Sequence, residues 1–136
     1  MSGYLLDTNI ASHVIGGDRP QIGRRLASLP MEDIAISAVT EGELLYALAR
    51  RNSPALLTER VRQFLLRVDV LAWDRDVTRA YADLRASCES TGVSLAPLDM
   101  MIAAQAVAAN AVLVTNDKAF SRVADPLKTE TWDEIG

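Results

Sequence analysis

Short apolar runs alternate along this chain with longer helix-like stretches, and acidic residues stand where the runs close. Tyr4-Leu5-Leu6 ends at Asp7, and Ala111-Val112-Leu113-Val114-Thr115 leads through Asn116 to Asp117. Between them lie Ile34-Ala35-Ile36-Ser37 and the run from Val68 to Trp73. A parallel pair of strands needs a crossover long enough to hold a helix, so strands alternating with helices predict an α/β domain with a mainly parallel sheet. In such sheets ligands bind beyond the carboxyl ends of the strands, near a topological switch point. A carboxylate at the end of a buried strand is unfavourable unless something pairs with it.

The helical stretches carry their own punctuation. Thr8 is the expected cap of a helix from Asn9 to Ile15 that stops at Gly16-Gly17. Arg19-Pro20 opens a second helix, to about Ser28. Thr40 is expected to cap a helix reaching Arg51, with Glu43 three residues on in capping-box position. Ser53 before Pro54 predicts another cap, for a helix ending near Arg67. Asp74 caps a long helix to about Thr91, ended by Gly92, and the stretch from Leu95 to Asn110 contains a helix that Asp99 opens. Asp117 to Val123 reads as a turn or short helix, and Glu130-Thr131-Trp132 as a last edge strand. A chain of 136 residues with no internal repeat and no long linker fits one domain, 1–136.

Composition narrows the function classes. A net charge of −4 argues against tight, non-specific nucleic-acid binding, though not against a nucleic-acid substrate. His13 and Cys88 are the only histidine and cysteine, too few for a Cys/His zinc site or an intrachain disulfide. The lone cysteine is compatible with a reducing, cytoplasmic compartment. Asp7 interrupts the only N-terminal apolar run, which argues against a signal peptide. The alanine-rich stretch around residues 100–115 carries Gln105 and Asn110, and reads as a buried helix and strand rather than a membrane span.

Asp7, Glu43, Asp99 and Asp117 are the residues from which chemistry is expected. If the fold gathers them, like charges conflict and a divalent cation resolves the conflict. Mg²⁺ or Mn²⁺ suits an oxygen-only donor set, and a metal-dependent hydrolase is the corresponding function. Each residue also has a purely structural explanation. Asp7 suits a helix cap, Glu43 a capping box, Asp99 a helix N-terminus and Asp117 a turn. By the same reasoning Trp73 and Trp132 are packing residues. The arginines at 24, 25, 50, 51, 60, 62 and 67 line solvated helix faces.

Leu5-Leu6-Asp7-Thr8-Asn9, Glu43-Leu44, Pro97-Leu98-Asp99 with Ile102-Ala103-Ala104, and Val114-Thr115-Asn116-Asp117 together resemble the ordered signature of PIN-domain ribonucleases. Within that family the VapC toxins of bacterial VapBC modules are the best match. The similarity runs from residue 3 to about 132. It implies a three-layer α/β/α sandwich and Mg²⁺-dependent cleavage of RNA, with tRNA among the candidate targets. It implies that Asp7, Glu43, Asp99 and Asp117 bind the metal, that Thr115 is a polar helper, and that Asn9 and Asn116 orient neighbours. It also implies a homodimer and a VapB-like antitoxin that covers the site. Two other readings stand beside it. An aspartyl-nucleophile phosphohydrolase would need a second Asp where this chain has Asn9, and a non-catalytic binding module would not need the acidic set.

Overall fold

A computed structural model describes residues 3–132. Five strands form one sheet: β1 (Tyr4–Leu6), β2 (Ile34–Ser37), β3 (Asp69–Leu71), β4 (Val112–Val114) and β5 (Thr129–Glu130). Their order is β3-β2-β1-β4-β5, and every pairing is parallel. The chain therefore builds outward from β1 to β3, then returns to the other flank of β1 for β4. That return creates a switch point between β1 and β4.

The side-chain alternation of a strand divides the core in two. Leu5 stands in register with Ala35 and Leu113, and these three face one layer. That layer holds α5 (Arg75–Ser90) and α6 (Pro97–Ala108), through Val77, Leu84, Cys88, Ile102 and Ala106. Leu6, Ile36 and Val114, also in register, face the other layer. There α1 (Thr8–Gly16), α2 (Pro20–Ala27), α3 (Ala38–Ala49) and α4 (Ala55–Arg67) supply Ile10, Ile22, Leu44, Leu48, Val61 and Phe64. The result is the expected α/β/α sandwich. Each fully buried Leu or Ile contributes roughly 1.5–3 kcal/mol relative to exposure. Trp132 is buried against the Tyr4 ring, with centroids 5.5 Å apart, so it packs as expected. Among the described residues no helix is long and apolar enough to cross a membrane.

Three helix starts differ from the sequence expectation. Asp7, not Thr8, caps α1: its Oδ1 accepts from the Ile10 N–H at 2.8 Å. Ser37, not Thr40, caps α3, whose first residue is Ala38. Thr40 is thus inside the helix and fully buried, and Glu43 lies beyond the reach of a capping box. Ser53 does not cap α4: it has φ 49°, and its N–H bonds back to the Leu48 carbonyl at 2.8 Å, closing α3 instead. The last strand is Thr129–Glu130, shifted by two residues at its end from the expected Glu130-Thr131-Trp132.

One polar link crosses the interior. The fully buried Ser37 hydroxyl donates to Gln105 Oε1 at 3.0 Å and accepts from the Val39 N–H at 3.0 Å. Gln105 Nε2 donates to the Ala72 carbonyl at 3.2 Å. Every group in the link is satisfied, as buried polar groups require. Through it α6 is tied to the carboxyl ends of β2 and β3.

Candidate active site

Beyond the carboxyl ends of β1 and β4 the chain turns sharply into helix on both strands. Asp7 follows β1 directly and is only 4% exposed. Its N–H still belongs to the sheet, bonding the Val114 carbonyl at 3.1 Å. Burial pushes the Asp7 carboxyl above its ordinary value, and the charge of Asp117 adds to the rise. Hydrogen bonds from Thr115 and the Ile10 N–H oppose it, as does the more distant His13. The Thr115 hydroxyl also accepts from the Asp117 N–H at 3.0 Å, so it joins the acidic residues of the two neighbouring strands. Asp117 itself is exposed and caps the 3-10 helix Lys118–Arg122, its Oδ1 accepting from the Ala119 N–H at 2.9 Å.

Glu43 reaches the site from α3. Its Oε1 accepts from the Thr8 hydroxyl, which also lies 3.1 Å from the Thr40 hydroxyl. Asp99 reaches it from the first turn of α6. It is half-buried and accepts no hydrogen bond from the described residues. Its carboxyl is pushed above its ordinary value, first by burial and then by the charges of Asp117, Asp7 and Glu43. The fold therefore brings the other three expected carboxylates into electrostatic range of Asp99. Thr115 stands among them. Asn116 is half-buried nearby in sequence, with a buried Oδ1 that has no hydrogen-bond partner among the described residues. Asn9 is exposed on α1.

In donor type, though not in spacing, the residues suit a hard divalent cation. The donor set is all oxygen, and Asp7, Glu43 and Asp117 each have one carboxylate oxygen held by a protein donor. The carboxylates are not drawn into a closed cage: among the described residues no three His, Cys, Asp or Glu side chains stand close enough to enclose an ion. A crevice of about 460 Å³ lies away from them, between α1, α2 and α4, where Val14, Ile15, Leu26 and Phe64 line it.

Sequence reasoning missed the partners of Glu43. Thr8 and Thr40 read as caps, because a hydroxyl before an apolar run is a common cap signal and the contact between α1 and α3 is tertiary. His13 behaves as the expected helix-face residue, its Nδ1 3.1 Å from Asp18. Cys88 is buried in the core, and burial raises its thiol pKa.

A five-stranded parallel sheet between helical layers, with Asp7 and Asp117 beyond neighbouring strands at its switch point, defines the class of α/β protein. The PIN domain model matches residues 4–126, and the chain belongs to the PIN-domain family. It is 32% identical over 133 residues to Ribonuclease VapC2 of Rickettsia felis, covering 96% of this chain and 98% of that protein. It is also 32% identical to the tRNA(fMet)-specific endonuclease VapC of Shigella flexneri, covering 97% and 99%. Among solved structures, VapBC2 from Rickettsia felis bound to a promoter DNA fragment superposes with a TM-score of 0.88. That match has 31% identity and covers 98% of this chain and 100% of the other.

Proposed function

We propose that this chain is a divalent-metal-dependent endoribonuclease and the toxin of a toxin–antitoxin pair. The observation that carries the reading is Asp99. A half-buried carboxyl with no hydrogen-bond donor among the described residues, opposed by three other carboxylates, calls for a cation. The relatives support the activity, since one is a ribonuclease and another a tRNA(fMet)-specific endonuclease. The solved VapBC complexes support a VapB-like antitoxin as partner and tRNA as the first substrate to try.

Asp7, Asp99, Glu43 and Asp117 would hold Mg²⁺, with Mn²⁺ as a substitute. The metal would supply charge stabilisation at the phosphate and a water of lowered pKa. The chain's own part is orientation. The Ile10 N–H and the Thr115 hydroxyl direct the Asp7 carboxyl, and Thr8 directs Glu43. Asp117 is fixed at its backbone by Thr115 and at its carboxyl by the Ala119 N–H. Attack by water breaks the phosphorus–O3′ bond, so the products carry 5′-phosphate and 3′-hydroxyl ends.

The test is cleavage of total RNA by the purified chain, freed of any partner, with Mg²⁺ or EDTA. Asp99→Asn is run in parallel and the ends are mapped by sequencing. Mg²⁺-dependent cuts at a few sites, lost in the variant, are expected. Cutting that persists in EDTA or in Asp99→Asn would remove the acidic site from the reaction.

A further inference from the structure

We propose that Thr40 and Thr8 form a hydroxyl relay that fixes the Glu43 carboxylate in the acidic site. Thr8 is then a positioning residue for Glu43, and Thr40 sets the direction of its proton. The inference deepens the nuclease reading and rests on it.

The direction follows from counting protons. A threonine hydroxyl has one proton to donate and can accept through its lone pairs. The Thr8 proton is committed to Glu43 Oε1. The contact of 3.1 Å between the Thr8 and Thr40 oxygens can then form only if Thr40 donates and Thr8 accepts. The chain of donation runs Thr40 to Thr8 to Glu43 and ends on a carboxylate. Hydrogen bonds in series polarise one another, and one that ends on a charge is the strong kind.

The surroundings make the relay rigid. Thr40 is fully buried, three residues before Glu43 on α3. A threonine inside a helix often turns its hydroxyl back to the carbonyl four residues earlier. Here the hydroxyl meets α1 instead. Thr8 opens α1 immediately after Asp7, which caps the same helix. One residue therefore links the start of the helix that Asp7 caps to the Glu43 carboxylate. This hydroxyl is a direct polar tie between the two carboxylates' helices.

If Thr8 were merely a helix-starting residue, its hydroxyl would be dispensable and its shape sufficient. Thr8→Val keeps the branched shape and removes the donor, whereas Thr8→Ser keeps the donor and removes the methyl. Thr40→Val removes only the outer hydroxyl. All three, with wild type and Asp99→Asn, are compared by kcat and KM for RNA cleavage and by titration with Mn²⁺ alone. Thermal melts check that each is folded.

Loss of a supporting hydrogen bond at a metal site typically lowers affinity or activity 10–100-fold. Thr8→Val is expected to lower kcat and Mn²⁺ affinity at least tenfold with KM within about threefold of wild type. Thr8→Ser is expected to stay within about threefold of wild type, and Thr40→Val to fall between. Wild-type kcat and Mn²⁺ affinity in Thr8→Val would overturn the relay. So would equal losses in the Val and Ser variants, since those would mark a packing role. If Thr8→Val does not fold, Thr40→Val decides, and wild-type behaviour there overturns the relay. A wild-type chain that binds Mn²⁺ but cuts no RNA would instead overturn the nuclease reading, and the relay would then be judged on Mn²⁺ affinity alone.

Discussion

Asp7 has two duties that pull on its chemistry in opposite directions. As cap it accepts the Ile10 N–H, which favours the charged form, while burial and Asp117 disfavour that form and win. Asp99 has burial and three carboxylates against it. Both carboxyls therefore have folded-state values raised from an ordinary 3.8. The folded chain binds more protons than the unfolded chain just above that value. Stability from these two groups accordingly falls as pH rises from 3.8 through the raised folded-state values. Asp7→Asn retains a good cap residue and removes the charge. In EDTA at pH 7, Asp7→Asn and Asp99→Asn should both melt higher than wild type, and the gain should vanish towards pH 3; thermal melts at stepped pH measure this. A lower melting temperature for Asp99→Asn at pH 7 would contradict the electrostatic account. With Mg²⁺ present, cleavage by Asp7→Asn should be lost while its far-ultraviolet dichroism is unchanged. Asp7, Asp99 and Asp117 stood out in the sequence because each follows an apolar run or opens a helix; Glu43 stood out as a capping-box residue, which the start of α3 at Ala38 rules out. The roles of Thr8 and Thr40 were not legible, because their bond joins residues 32 apart in the chain.

Helix ends were harder to read than helix existence. α3, α5 and α6 close in the same way, with an N–H bonding the carbonyl five residues earlier: Ser53 to Leu48, Val93 to Cys88 and Ala111 to Ala106. In each case the residue before the donor has positive φ: Asn52 at 58°, Gly92 at 73° and Asn110 at 53°. Glycine and asparagine tolerate that conformation best. Gly92 was recognisable as a stop from the sequence. Asn52 was overlooked because Ser53-Pro54 looked like the start of the next helix, and the stop of one helix and the start of the next share these residues. A Cβ on Gly92 would meet nothing within 4 Å, so the backbone angle alone sets the effect of a substitution. Gly92→Ala should destabilise by roughly 1–2 kcal/mol in denaturant unfolding. Cleavage per folded molecule should not change, since residue 92 lies at the far end of α5 from its Asp74 cap.

The molecule as a whole is a parallel sheet with Asp7 and Asp117 beyond the carboxyl ends of two neighbouring strands, in a chain of net charge −4. A ligand that binds only the folded state stabilises it by mass action, about 2.7 kcal/mol at a hundredfold excess over its dissociation constant. Titrating Mg²⁺ should therefore raise the wild-type melting temperature progressively, and Asp99→Asn should respond far less. An equal rise in both would mean that Mg²⁺ acts elsewhere on the surface. The alternation of runs and helices announced this architecture, but the strand order did not follow from it, because nothing local tells β4 to return beside β1. That pairing has a consequence in time. Tyr4 is in register with Val112, so the first strand waits with one flank open until nearly all the intervening chain has been made and folded. Contacts so distant in sequence form late. Asp7 and Glu43 are in the chain early, but Asp117 arrives only with β4. A growing chain therefore holds its first three carboxylates before the fourth, and the set is completed only when β4 takes its place beside β1.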